Sequence, residues 1–178
     1  MIKKTSILFI LIYFTSFISA YSLEREIGDV MQLALPVAAI SSTYYMNDYD
    51  GFKSFLKSYM TTISTTYILK NITYKLRPDG TDHMSFPSGH TSSAFAGASF
   101  VHFRYGIKYS VPLYLLAGFT GYSRIESNKH YIEDVIAGAG LAILSSWYFT
   151  PSYNKKYSFY FNYNLNTKMV KLDFLKLF

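Results

Sequence analysis

The sequence predicts an all-α fold, a compact bundle of about five to six helices. Half of the 178 residues are hydrophobic and 19% are aromatic, which supplies enough apolar surface for a packed core. Turn residues divide most of the chain into five stretches with helical patterning. The length suits one domain rather than two, so we expect a single active site.

The first segment, residues 1–22, is predicted to be a signal peptide or an N-terminal membrane anchor. Lys3 and Lys4 precede an apolar run over residues 7–17, and small residues follow, which is the layout of a secretory signal. Cleavage after Ala20 is possible, but the triplet at residues 20–22 fits the small-x-small rule better. Both alternatives place the protein in the periplasm or on the periplasmic face of the inner membrane.

The helical bundle is predicted to span residues 23–152. Its helices are expected at residues 26–46, 51–75, 89–104, 108–122 and 130–149. Lysines and a Thr/Ser cluster interrupt the second stretch, and the last two are shorter than the roughly 20 apolar residues of a clean membrane span. We therefore expect a soluble or membrane-associated bundle, although an integral membrane form stays open.

The tail, residues 153–178, differs in character because aromatic and polar residues alternate along it. With residues 164–168 as a turn, this tail could form a short β-hairpin. A tail that packs over the bundle is favoured over a dedicated docking device.

Composition restricts the chemistry. The formal charge of +6 favours an anionic partner, but no nucleic-acid-binding motif is present, so nucleic acid is not expected. The absence of cysteine excludes disulfides, thiolate metal sites and a cysteine nucleophile. We expect no cofactor and no metal, and the sequence does not indicate the oligomeric state.

The first polar cluster contains Lys70, Arg77 and Pro78. Lys70 and Arg77 are seven residues apart, which predicts that both cations lie on one helix face and grip one anion. Pro78 is predicted to end that helix. Alone, such a pair is more often a solvated helix face.

The second cluster is Phe86-Pro87-Ser88-Gly89-His90. Pro87-Ser88 predicts a helix start, which would leave the Ser88 and Gly89 amides free to bind a phosphate oxygen. His90 in the first turn could protonate a leaving oxygen.

The third cluster contains Arg124, His130, Glu133 and Asp134. His130 and Asp134 are four residues apart at the start of the last predicted helix, so the carboxylate could accept a proton from one imidazole nitrogen. The other nitrogen would then be a nucleophile. Arg124 could bind phosphate oxygens with two donors, and Glu133 is a fallback for Asp134.

In order, the clusters read K-x6-R-P, P-S-G-H and S-R-x5-H-x3-D. This pattern resembles the signature of the type 2 phosphatidic acid phosphatase and vanadium haloperoxidase superfamily. The resemblance implies an all-α bundle and metal-independent phosphate hydrolysis through a phosphohistidine. It implies catalytic roles for His130, His90 and Asp134, and a phosphate cradle of Lys70, Arg77, Ser88, Gly89 and Arg124. The eight residues between Pro78 and Pro87 leave no room for a transmembrane hairpin between the first two motifs.

Four functions stay open. A phosphatase acting on a lipid phosphate or pyrophosphate is favoured by the hydrophobic helices and the envelope targeting, and membrane association goes with it. The runner-up is a soluble periplasmic acid phosphatase acting on small phosphoesters. A vanadium haloperoxidase and a non-catalytic envelope protein are weaker alternatives.

Overall fold

The computed structural model describes residues 4–153, 157–164 and 169–176, with side chains described from residue 23 to residue 153. In chain order the elements are α1 (Lys4–Tyr45), α2 (Tyr49–Thr73), α3 (Gly89–Tyr105), α4 (Ile107–Glu126), α5 (Ile132–Phe149), β1 (Tyr157–Asn164) and β2 (Met169–Lys176). The strands pair antiparallel, with Tyr157 opposite Lys176. The all-α bundle and the C-terminal hairpin are confirmed, while most of the predicted turn lies outside the described residues.

Three of the differences from the predicted helix boundaries concern the leader or the third polar cluster. α1 begins at Lys4 rather than residue 26, because no proline or turn signal separates the apolar leader from the first predicted helix. α4 continues to Glu126 rather than residue 122. α5 starts at Ile132, because Asn128 takes a positive φ of 53° and extended Tyr131 is the N-cap. His130 therefore lies in the loop before α5.

Helix α3 lies at the centre of the bundle and packs against the other four helices. Its small side chains permit close approach, and the buried ones include Ser92, Ala94, Ala96, Gly97, Ala98 and Ser99. A Cβ added to Gly97 would lie 2.5 Å from the backbone carbonyl of Leu35 in α1. α1 and α3 thus touch backbone to backbone at this glycine.

Pro36 lies inside α1 and has no N–H to donate to the carbonyl of Gln32 one turn earlier. The hydroxyl of Ser93 in α3 donates to that carbonyl at 2.6 Å. The hydrogen bond satisfies a backbone acceptor that proline would otherwise leave unpaired, and it links α1 to α3 near the site described below.

The face that α2 turns to the bundle carries a row of small polar side chains that ends at Lys70. Ser58, Thr62, Thr66 and Lys70 recur every fourth residue and are buried, while Met60 is exposed. Two threonine hydroxyls are satisfied internally: Thr62 donates to the Ser58 carbonyl at 2.8 Å, and Thr66 donates to the Ser92 hydroxyl at 3.0 Å. Thr62 and Thr66 of the Thr/Ser cluster therefore face the bundle interior.

Helix α5 has the length and apolar composition needed to cross a membrane, and it is the one such helix among the residues the structure describes. Several of its large apolar side chains point outward, including Ile136, Leu144 and Trp147. Length and composition alone do not distinguish a span from other apolar helices.

Candidate active site

The first cluster is divided between helix α2, which carries Lys70, and the loop after it, which carries Arg77. α2 ends at Thr73, and Tyr74 closes it in a left-handed conformation with φ 45°. Arg77 and Pro78 thus lie beyond the helix. The predictions that Lys70 and Arg77 share one helix face and that Pro78 ends the helix are wrong.

Contacts between two loops nevertheless bring Arg77 to His130. The Asp79 amide donates to the Asn128 carbonyl at 3.1 Å, and Lys129 Nζ pairs with Asp79 Oδ2 at 2.5 Å. Arg77 Nη1 then lies 3.3 Å from the Lys129 carbonyl and 3.4 Å from His130 Nε2. The first and third clusters therefore meet at the predicted nucleophile.

Lys70 comes from the last turn of α2 and points at the same place. It is 7% exposed, and its Nζ donates to the Met84 carbonyl at 2.5 Å. Burial, and then the charge of Arg77, lower the pKa of Lys70 to about 8. A bound anion would favour its charged form.

Ser88 and Gly89 begin α3 as predicted, but Ser88 is not a free donor. Its amide donates to the backbone carbonyl of Asp134 at 2.9 Å, and its hydroxyl caps the helix by accepting from Thr91. The expectation of a free Ser88 amide is therefore wrong, because that amide joins α3 to α5. Gly89 packs beside Lys70, where a Cβ would lie 3.7 Å from Lys70 Cε.

His130 is almost fully buried next to the fully buried Asp134. Its Nδ1 lies 3.6 Å from Asp134 Oδ2 and makes no hydrogen bond of ordinary geometry with the described residues. The two side chains are neighbours as predicted, but the hydrogen bond expected between them is not formed. The Nε2 atom of His130 faces the Arg77 guanidinium, whereas its Nδ1 atom faces the Asp134 carboxylate.

The Asp134 carboxylate is held by three other donors. It accepts from Lys75 Nζ at 2.8 Å, from the Ser85 hydroxyl at 2.5 Å and from the Tyr131 amide at 2.9 Å. Burial raises the pKa of Asp134, but these partners outweigh it and keep that pKa below its ordinary value. Glu133 is more than half exposed and contacts Lys75 rather than His130.

Burial is the main reason that the pKa of His130 is lowered to about 3. The positive charges of Lys70 and Arg77 lower it further, while Asp134 and the Ser85 backbone oppose them. His130 is therefore neutral at neutral pH. A neutral imidazole keeps the lone pair that a nucleophile needs.

His90 and Arg124 meet at a residue that none of the three clusters contains, Asp29 of α1. His90 Nε2 lies 2.9 Å from Asp29 Oδ1, and Arg124 Nη1 donates to the same oxygen at 2.5 Å. Arg124 Nη2 also donates to the Arg25 carbonyl at 2.7 Å. Asp29 is separated from His90 by 61 positions, so no local spacing in the sequence could have indicated it.

Two cavities converge on these groups, and His90, His130 and Arg77 border both of them. The larger, about 330 Å³, lies between α1 and α2, with Lys70 and Gly89 at its polar end. Its walls include the apolar or aromatic side chains Leu33, Tyr59, Ile63 and Tyr67. The smaller, about 240 Å³, is bordered by charged side chains including Arg25, Asp29, Arg124 and Lys129.

A profile of the PAP2 superfamily matches residues 7–158, which is most of the chain. The chain belongs to the PAP2 superfamily. This PAP2 chain is 33% identical over 148 residues to the lipid A 4'-phosphatase of Helicobacter pylori, covering 77% of this chain and 74% of that protein. It is 52% identical over 73 residues to the lipid A 1-phosphatase of Porphyromonas gingivalis, a match to 39% of this chain and 16% of that protein.

Among solved structures, the crystal structure of Aquifex aeolicus LpxE superposes on this PAP2 chain with a TM-score of 0.54 and 22% sequence identity. The superposition covers 71% of this chain and 92% of that one. At this identity the likeness establishes the shared helical fold.

Proposed function

We propose that the protein is a phosphatase that removes phosphate from a membrane lipid through a phosphohistidine at His130. The observation that carries this proposal is the convergence of two imidazoles, His90 and His130, with Arg77 on the same two cavities. Three separate stretches of sequence supply these groups, and membership of the superfamily agrees with their use on phosphate.

In the first step, Nε2 of His130 attacks phosphorus. The N–P bond forms as the bond from phosphorus to the leaving oxygen breaks, and His90 gives its proton to that oxygen. In the second step His90 takes a proton from water, and the resulting hydroxide attacks phosphorus. Phosphate leaves and neutral His130 is restored.

Electrostatic stabilisation would supply most of the catalysis, because the transferred phosphoryl group carries its charge on three equatorial oxygens. Lys70 and Arg77 act on His130, and Arg124 is linked to His90 through Asp29. The Gly89 amide at the start of α3 is a further donor for the phosphate. Ser88 would act by capping α3 and joining it to α5.

A lipid substrate is favoured by the surroundings of the site. The larger cavity has an apolar wall directly beside Lys70 and His90, so a phosphate and an apolar portion of one molecule could bind together. Exposed apolar side chains on α1, α2 and α5, among them Leu33, Met60 and Trp147, support membrane association. The relatives named for lipid A make a phosphorylated lipid A headgroup the first substrate to test.

The leader at residues 1–22 supports a location on the periplasmic face of the inner membrane, whether it is cleaved or retained. Fusion of a reporter enzyme that is active only in the periplasm would test this location. Activity of the reporter is expected, and a reporter active only in the cytoplasm would contradict the proposed location.

The full-length chain, purified in detergent, should release phosphate from lipid A and from phosphatidic acid in mixed micelles. Para-nitrophenyl phosphate should be a much poorer substrate by kcat/KM. His130→Ala should abolish turnover, whereas His102→Gln, a change in α3 at a residue that contacts Tyr114, should keep it. Preference for the soluble ester would replace the lipid substrate with a small phosphoester, and turnover by His130→Ala would overturn the proposed nucleophile.

A further inference from the structure

One turn of α1, residues 25–29, forms a wall of the site although it precedes all three motifs. The Arg25 carbonyl and the Asp29 carboxylate each accept a hydrogen bond from the Arg124 guanidinium. Gly28 lies between them, and a Cβ there would come within 2.5 Å of Arg124 Nη2. Arg124 is only 2% exposed, so this turn fixes it tightly.

Asp29 is also the link between Arg124 and His90, because one oxygen, Oδ1, contacts both side chains. We propose that Asp29 is a positioning residue for proton transfer: its carboxylate orients His90 and keeps it competent to protonate the leaving oxygen. The inference rests on the proposed phosphatase function. It assigns a role to a helix that lies outside the sequence signature.

The orientation determines which imidazole nitrogen exchanges the proton. In the charged form of His90, which carries a proton on each ring nitrogen, the Nε2–H donates to Asp29, so the Nδ1–H is the proton that passes to the leaving oxygen. In the second step Nδ1 takes a proton back from water. Asp29 only accepts the hydrogen bond from His90, and no proton moves to it.

The charges around His90 show why a carboxylate is needed there. Arg124 faces it from α4 and Arg77 from the loop after α2, while Lys70, Lys129, Arg25, Asp82 and His130 border the same cavities. Burial, and then Arg124, lower the pKa of His90 to about 4, and Asp29 opposes them. Without Asp29, the surrounding cations would disfavour the protonated form of His90 that the first step needs.

The test compares Asp29→Asn, which keeps the shape and removes the charge, with Glu26→Gln at an exposed position of α1. Removing a contacting carboxylate is expected to lower the His90 titration midpoint by about 1 pH unit or more, measured by NMR of the imidazole. The alkaline limb of kcat against pH should move down by a similar amount. Glu26→Gln should change neither quantity.

Comparing substrates with different leaving groups separates a role of Asp29 in proton transfer from a purely structural role. Asp29→Asn should lower kcat/KM at neutral pH by about tenfold or more for an alkyl or lipid phosphate, whose leaving oxygen needs a proton. The loss should be much smaller for para-nitrophenyl phosphate, whose phenolate leaves unprotonated. KM should not rise, because Arg124 keeps its charge, and Asp29→Glu should recover part of the activity.

Equal losses for both substrates with an unmoved pH profile would overturn the inference, as would an unchanged His90 titration midpoint. The NMR titration does not depend on turnover, so it tests the contact between Asp29 and His90 by itself. If the wild-type protein hydrolysed neither ester, the proposed function would fail independently of that result.

Discussion

Replacing Gly28 by alanine would test whether close approach of α1 sets the position of Arg124. The new methyl group would lie 2.1 Å from the Ser123 hydroxyl oxygen and 2.5 Å from Arg124 Nη2. Both distances are far below van der Waals contact, so the guanidinium or α1 must move by about 1 Å. Arg124 is buried and already hydrogen-bonded to α1, so it has little room to yield.

The expected effect is larger on catalysis than on folding. Crowding of this kind costs about 1–3 kcal/mol, and the better helix propensity of alanine offsets about 1 kcal/mol of it. Loss of one well-placed charged hydrogen bond to the transition state, about 1.5–3 kcal/mol, corresponds to roughly a 10- to 100-fold lower kcat/KM. We therefore expect a modest decrease in the free energy of unfolding and a large loss of activity.

The assay is kcat/KM on a lipid phosphate together with inhibition by inorganic phosphate, and urea denaturation reports folding. Gly118→Ala in α4 is the matched control, since a Cβ there meets no atom within 4 Å among the described residues. It should be neutral or slightly stabilising. A folded Gly28→Ala protein with wild-type kcat/KM and wild-type phosphate inhibition would show that the approach of α1 does not set the position of Arg124.

Three further outcomes are expected. Gly97→Ala should lower the free energy of unfolding by about 1–3 kcal/mol, because the new methyl group would clash with the Leu35 backbone. A denaturation curve that matches the wild type would contradict the close packing of α1 on α3. Lys75→Met should raise the pKa of the buried Asp134 and lower kcat. An unchanged kcat would show that the ion pair between Lys75 and Asp134 is not needed for catalysis. The pKa of His130 is about 3 when folded, below its unfolded value, so its contribution to stability is lost as pH falls from about 6.5 towards 3. Between about pH 6 and 4, the free energy of unfolding of the wild type should fall more steeply than that of His130→Gln, by about 1 kcal/mol per pH unit in urea denaturation. Parallel curves would contradict the burial of a neutral imidazole.

The motif residues were predicted from sequence because each cluster combines polar types that core packing does not require. His90, His130 and Arg77 border common cavities, as the clusters suggested. Their catalytic and binding roles stay predictions. The bundle and the hairpin were predictable because apolar periodicity and turn residues report secondary structure directly.

Predictions from the spacing of residues in the sequence were wrong where the chain is not helical. The seven-residue interval between Lys70 and Arg77 suggested one helix face, but the left-handed Tyr74 ends α2 before Arg77. Likewise, the i, i+4 relation of His130 and Asp134 assumed that α5 began at His130. The N-cap at Tyr131 instead leaves the two side chains 3.6 Å apart.

Asp29 could not be found from sequence, since its partners lie 61 and 95 positions away and only packing of α1 against α3 and α4 brings them together. The Ser88 amide was misjudged for a related reason. Its acceptor is the backbone of Asp134, whose position depends on how α3 meets α5.

The proposed mechanism requires a covalent bond between phosphorus and His130. Mixing the enzyme with a radiolabelled lipid phosphate, quenching in alkali to preserve phosphohistidine and mapping the labelled peptide would test it. We expect label on His130 in the wild-type protein and none in His130→Ala. Label on another residue, or label retained in a folded His130→Ala protein, would contradict the account.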